Sequence, residues 1–218
     1  MATTSDTPRT RPPRRRLGAE ERRRQLIAAT VSVLSRCGYQ NTSLAAIASE
    51  AGVAKGLLWH YFADGDDLME QTARVTLAVL RETVARDIDL SAEIPAVIRA
   101  AIRRAAALRE SHPAELRAVR EIMQNLRKPD GTLRFGLNEL YEETYTLQAA
   151  LFKRGQDEGS LRGSIDTRYL AVTYQGAVDA MLAYLDNCPD TDAEAYAATV
   201  ADILLTGIAA NPAACAGQ

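Results

Sequence analysis

Cysteine occurs three times in this chain, histidine twice and tryptophan once. Cys37, Cys188 and Cys215 share no metal-ligand or redox spacing, and an odd number of thiols fits reduced side chains better than a disulfide framework. With only His60 and His112, and no Glu-x-x-His, Walker phosphate loop or Gly-x-Ser-x-Gly, no familiar catalytic constellation can be assembled. No enzyme activity, metal or cofactor is therefore expected. Nothing approaches the roughly 18 consecutive apolar residues of a membrane span, and no apolar secretory segment follows the Arg-rich N-terminus. The expectation is a cytoplasmic protein without membrane association. Period-two alternation is also missing beyond Phe62, which removes a sheet from the expected architecture.

Apolar residues are plentiful, at 47% of 218 positions, enough to bury a sizeable core. The formal net charge of −2 argues at first against a polyanionic partner. Its distribution reverses that reading. Residues 1–64 hold ten Arg and Lys against five Asp and Glu, whereas residues 65–218 hold sixteen against twenty-three. A basic beginning on an acidic remainder is the footprint of a nucleic-acid-binding end.

Residues 1–18 combine five arginines with Pro8, Pro12 and Pro13 and almost no apolar side chains, so they read as a flexible Arg-rich arm, either following DNA or simply solvated. Helical periodicity begins near Glu20. A first helix is expected over 19–37, stopped by Gly38, then short helices over 44–51 and 55–61 joined through Ala51-Gly52-Val53. This makes residues 19–64 a three-helix helix-turn-helix candidate. Longer helices follow near 66–87, 92–111, 113–127, 132–158, 165–187 and 191–209, interrupted at Pro95, Pro113, Pro129-Asp130-Gly131, Gly159 to Gly163 and Pro189. The fold class is all-α, a small DNA-binding domain plus a larger helical ligand-binding and dimerisation domain over 65–210, with a tail at 211–218.

In residues 38–62, Ile47, Ala48, Ala51, Val53, Leu58 and Phe62 can form the small core that fixes the crossing of the two short helices. The outward side chains remain for DNA. Thr42 and Ser43 supply hydroxyls at a helix N-terminus, where the macrodipole favours phosphate. Lys55, Leu57, Trp59, His60 and Tyr61 lie on and around the helix that would enter the major groove, and Gly56 permits close approach. The alternative is that Trp59 and Tyr61, like Phe62, are core aromatics and that His60 is an exposed bystander.

Gly38-Tyr39, Thr42-Ser43, Ile47-Ala48, Ala51-Gly52-Val53 and the run from Lys55 to Phe62 resemble the TetR family of transcriptional regulators. The resemblance implies DNA contact at Thr42, Ser43, Lys55, Trp59, His60 and Tyr61. It further implies a ligand-released repressor that binds a pseudo-palindromic operator as a dimer, with the helix at 66–87 as the lever between domains. Two positions depart from the family pattern: Ala54 stands where a capping Ser is usual, and Gly65, in the acidic run Asp64 to Asp67, where a phosphate-contacting Lys is common. The rival reading is a nonspecific architectural DNA-binding protein using the arginine arm.

Along 132–158, Leu133, Leu137, Leu140, Thr144, Leu147 and Leu151 form an expected buried seam, flanked by a stripe of Asn138, Tyr141, Tyr145, Gln148 and Phe152. Aromatic and amide side chains together suit one wall of a small-molecule effector pocket, with Met123, Gln124, Tyr174, Val178 and Met181 as candidates for the others. Small residues at helical spacing, Ala171, Ala177, Ala180 and Ala183, then Ala197 and Ala201 with Leu204, Leu205 and Ile208, suit a homodimer through the last two helices or an ordinary intrachain core.

Overall fold

A computed structural model describes residues 18–134 and 137–210; the arginine arm over 1–17, Cys215 and the tail at 211–218 lie outside the described residues. The elements among the described residues are helical: α1 (Ala19–Cys37), α2 (Leu44–Glu50), a 3₁₀ segment (Lys55–His60), α3 (Gly65–Ala85), α4 (Ile94–Ser111), α5 (Pro113–Asn125), α6 (Leu137–Asp157), α7 (Thr167–Asn187) and α8 (Ala193–Ile208). Bridges between Arg127 and Leu133 and between Leu161 and Ala209 are the β pairing found among them.

The boundaries follow local chemistry. Gly38, at φ 74°, ends α1 in a conformation that other residues adopt only with strain. Ser43 caps α2 by accepting from the Ala46 N–H at 3.1 Å. Asp64 and Asp67 cap α3 reciprocally: Asp64 accepts from the Asp67 N–H, and Asp67 accepts from the Ala63 N–H, both at 2.8 Å. Pro113 opens α5, where the missing N–H costs nothing.

Three expectations need correction. The segment expected as an α-helix over 55–61 is a 3₁₀ turn, with the Leu57 N–H bonded to the Ala54 carbonyl at 2.9 Å. Ala54 offers no capping hydroxyl, and so short a helix tightens to i→i+3 bonding. The helix expected from 132 begins at Leu137, because residues 126–134 fold back around Pro129-Asp130-Gly131. The Lys128 N–H meets the Thr132 carbonyl, and the Arg134 N–H the Leu126 carbonyl, each at 2.8 Å. Finally, the expected seam is buried only in part, at Leu140, and the flanking aromatic stripe goes deeper. Leu133 is exposed and outside α6, Leu147 is 53% exposed, and Tyr141, Tyr145 and Phe152 are buried. An aromatic ring removes more apolar surface from water than a leucine, so α6 turns its rings inward.

Two main apolar cores result. One joins α1, α2 and the 3₁₀ segment to α3 and α5 through Leu26, Leu34, Ile47, Leu58, Phe62, Leu68, Ala118 and Ile122. The other packs α4, α6, α7 and α8 through Ile98, Ile102, Phe152, Tyr174, Met181 and Ala201. Ala171, Ala197, Ala201, Leu205 and Ile208 are buried within the chain, so much of the small-residue stripe joins α7 and α8 to the rest of their own domain.

Candidate functional site: a nucleic-acid interface and an internal cavity

The helix-turn-helix is built from its turn outward. Gly52, at φ 65°, closes the corner after α2, and the Val53 N–H bonds the Ala48 carbonyl at 2.9 Å. From α1, the Gln25 amide donates to the Ala51 carbonyl at 2.9 Å and ties the turn to the first helix. Leu58 and Phe62 are buried as anchors beneath the 3₁₀ segment. With those two side chains inward, Lys55, Gly56, Trp59 and His60 are left exposed, Trp59 at 45%. Leu57 and Tyr61 are half-buried, and Tyr61 packs against the core of this domain. Nothing lies within 4 Å of the place a Cβ would occupy on Gly56, so its backbone is open to a close partner.

The two hydroxyls expected at the start of α2 have separate duties. Ser43 caps the helix, while Thr42 donates to the Gly38 carbonyl at 2.7 Å and fixes the loop before it. The acidic run at the start of α3 is explained by its capping bonds. Asp67 is held below the usual carboxylate range chiefly by hydrogen bonding from Gln71, with the Ala63 N–H adding to it. Arg23 stacks 5.3 Å from the Phe62 ring centroid and also bonds Gln71. Glu50 is engaged by Arg36 at 2.9 Å and by Ser32 at 2.7 Å.

A cavity of about 620 Å³, partly open to solvent at Leu90 and Leu147, lies in the larger domain, within the size range of small-molecule sites. Met123, Gln124, Tyr141, Gln148, Phe152, Tyr174 and Val178 line it. Tyr145 and Met181 do not. Tyr145 is buried beside Tyr141 with the Arg168 guanidinium 4.8 Å from its ring centroid, and Met181 is wholly enclosed in core. The Asn138 side chain lies outside the described residues. Sequence reasoning missed the walls that α3 and α4 contribute, including Leu77, Leu80, Val97 and Leu108, because their periodicity is that of any core face. It also missed Gln175 and Asp179 on α7. A carboxylate one residue from the inward Val178 was the available sign.

The polar part of the lining is a relay. Gln148 Nε2 donates to Gln175 Oε1, and Gln175 Nε2 donates to Asp179 Oδ1, both at 2.8 Å. Burial pushes the Asp179 carboxyl above its usual range, partly offset by hydrogen bonding from Gln175 and Tyr141. Burial likewise pushes the Tyr141 and Tyr174 hydroxyls up, so both are neutral donors. Arg81, Arg109 and Arg120 stand at the cavity and are engaged there: Arg81 with Glu143 at 2.8 Å, Arg109 with the Thr191 carbonyl at 3.3 Å, and Arg120 with Asp186 at 2.6 Å. Among the described residues no group of His, Cys, Asp and Glu could hold a metal ion, and no helix is long and apolar enough to cross a membrane.

The interface and the cavity share a wall. Leu116, Val119 and Met123 of α5 face the cavity, whereas Ala118 and Ile122 of the same helix enter the helix-turn-helix core. The α3 helix does the same with Leu77 and Leu80 on one side and Leu68 and Ala73 on the other.

Residues 26–72 match the family model described as bacterial regulatory proteins, tetR family. The regulator BetI of Cronobacter sakazakii is 45% identical over 64 residues, 29% of this chain and 32% of that protein. HbdR of Aromatoleum sp. is 39% identical over 70 residues, 32% of this chain and 31% of its own length. The chain thus spans about a third of the length of the curated relatives it matches. Likeness of fold extends further. The fatty acid degradation regulator FadR from Bacillus halodurans superposes with a TM-score of 0.72 at 19% identity, covering 88% of this chain and 97% of that one. FadR from Bacillus subtilis, in complex with stearoyl-CoA, does so with a TM-score of 0.72 at 22% identity, covering 85% and 98%. The similarity to the tetR family of bacterial regulatory proteins is thus carried by residues 26–72, and over the rest of the chain the likeness is one of fold.

Proposed function

We propose that this protein is a cytoplasmic transcriptional regulator, with no catalytic role, which binds a pseudo-palindromic operator as a homodimer and is released when a small molecule fills the cavity. The observation that carries this reading is the double role of α5. One face of it borders the cavity and the other supports the helix-turn-helix, so a ligand that alters the first face biases the second. A coupling of about 1–3 kcal/mol between the two sites is typical of such systems.

In this reading residues 19–64 read DNA and residues 65–210 bind the effector and the second subunit. Thr42, Ser43, Lys55, Gly56, Leu57, Trp59, His60 and Tyr61 meet the duplex, with Lys55 and the Tyr61 hydroxyl on phosphate or base edges and Trp59 and Leu57 against apolar groove surface. Dimerisation is supported by an exposed stripe on α7, Tyr169, Val172 and Tyr184, continued by Ile203 on α8; Tyr169 and Ile203 are 74% and 68% exposed. Large apolar side chains exposed on these two helices call for a partner, and a second copy would set two recognition segments about 34–36 Å apart, one turn of DNA. The acyl ligand named for the Bacillus subtilis neighbour supports an apolar effector for a cavity walled by leucine, valine and aromatic side chains.

Selection of bound fragments from random duplex DNA, followed by a screen for compounds that release them, tests the proposal. A recurrent sequence with two-fold symmetry is expected. An architectural DNA binder would instead retain fragments without a consensus, with affinity governed by salt alone.

A further inference from the structure

The polar relay in the cavity fixes what can dock against it. Asp179, when ionised, only accepts hydrogen bonds, so the Gln175 amide must turn its nitrogen to Asp179 and its oxygen to Gln148. Gln148 in turn gives its nitrogen to Gln175, and its Oε1 is left buried without a hydrogen-bond partner. Gln148 Oε1 is closed off from solvent, so the acceptor that the relay presents to the cavity is the Asp179 carboxylate, which takes hydrogen bonds from Gln175 and Tyr141 and has no ion pair among the described residues. A buried carboxylate left without a counter-charge is costly. The nearby cations do not answer it, because Arg81 and Arg120 are paired with Glu143 and Asp186 and Arg109 is bonded to loop carbonyls. The rings of Tyr141, Phe152 and Tyr174 stand in the same lining, and ring faces attract cations.

We propose that the molecule this cavity takes is an apolar amine, whose ammonium donates to the Asp179 carboxylate beside the Tyr141, Phe152 and Tyr174 rings, its hydrocarbon lying along the α3 and α4 walls. The assignment rests on the cavity being the effector site and adds the chemical class of the effector. A carboxylate-bearing or phosphate-bearing head would meet acceptors where it needs donors. An alcohol satisfies one acceptor and leaves the charge of Asp179 unbalanced. An ammonium supplies three donors and the missing charge together.

The test uses the full-length protein and three probes of one chain length, dodecylamine, dodecanol and dodecanoate, each below its micelle concentration, titrated by calorimetry. The amine is expected to bind about tenfold or more tighter than the alcohol, equivalent to about 1.4 kcal/mol, and dodecanoate weakest. Asp179→Asn should bring amine and alcohol to near equality while alcohol binding persists, which also shows that the variant is folded. Dodecanoate binding tightest, an amine preference that survives Asp179→Asn, or no binding by any probe overturns the assignment. Release of operator DNA, followed alongside, separates the two readings. Tight dodecanoate binding with release removes the amine and keeps the effector site. An Asp179-dependent amine preference without release keeps the amine and removes the effector role.

Discussion

The Glu121 carboxylate accepts a hydrogen bond from the backbone N–H of Tyr39, 2.8 Å away, and so holds the turn leading into α2 from a helix of the other domain. Glu121 is absent from the cavity lining, but Leu116, Val119, Arg120, Met123 and Gln124 on the same helix are present in it. A shift of α5 thus reaches the helix-turn-helix through a charged acceptor as well as through packing.

Replacing this acceptor separates ligand binding from DNA binding. Glu121→Ala should leave effector affinity unchanged, lower stability by about 1–2 kcal/mol and weaken operator binding several-fold; Glu121→Gln, which keeps an acceptor oxygen, should fall between. Denaturant titration and duplex binding check this. A change in effector affinity with operator binding untouched would contradict it.

Lys55 is exposed on the 3₁₀ segment, so its truncation has little folded-state cost. Lys55→Ala should lower operator affinity without moving the melting temperature, and should reduce the slope of log affinity against log salt by about 1 if the contact is to phosphate. Leu58→Ala acts by another route. Its buried side chain anchors the same segment, and the variant should lose about 2–5 kcal/mol of stability along with DNA binding.

Close packing explains Gly155, one of three glycines spaced four apart near the end of α6. A Cβ there would meet Leu161 at 2.8 Å and Ile94 at 3.0 Å. Gly155→Ala should destabilise the larger domain by about 1–3 kcal/mol, read by thermal melting. Gly163→Ala, where nothing lies within 4 Å, is the control that should not.

Asp179 gives the ligand-free protein a stability that depends on pH. Its carboxyl is raised on folding, so below the unfolded value of about 3.9 both states are protonated and no penalty arises. As pH climbs through the raised folded value, the folded state must ionise a buried group or keep a proton that the unfolded state has lost. The penalty grows over that window and is complete above it. Asp179→Asn should therefore gain stability relative to the parent as pH rises from about 4 to 7. Melting curves at several pH values test this, and a constant difference would contradict it.

The helix-turn-helix was legible in the sequence because local rules act there: a glycine at positive φ ends α1, Ser43 caps α2, Gly52 turns the corner, and Leu58 and Phe62 point inward. The cavity was only half legible. Tyr141, Gln148 and Phe152 stand out as an aromatic and amide stripe, but how far each face of α6 turns inward is decided by helices distant in sequence, and the leucine spacing marks Leu140 as buried while overstating the burial of Leu147. Asp179 and Gln175 become informative only when α6 brings Gln148 against them. The start of α6 was misplaced because the pairing of residues 126–134 depends on backbone hydrogen bonds that leave no side-chain pattern.

The central claim is that a paired reading head selects sequence. Fluorescence anisotropy of the purified protein at physiological salt, with a duplex recovered by selection and a scrambled duplex of equal length, tests it most directly. Binding of two chains per selected duplex, at least about 1,000-fold tighter than to the scrambled one, is the expected result. Equal affinity for the two duplexes would contradict it.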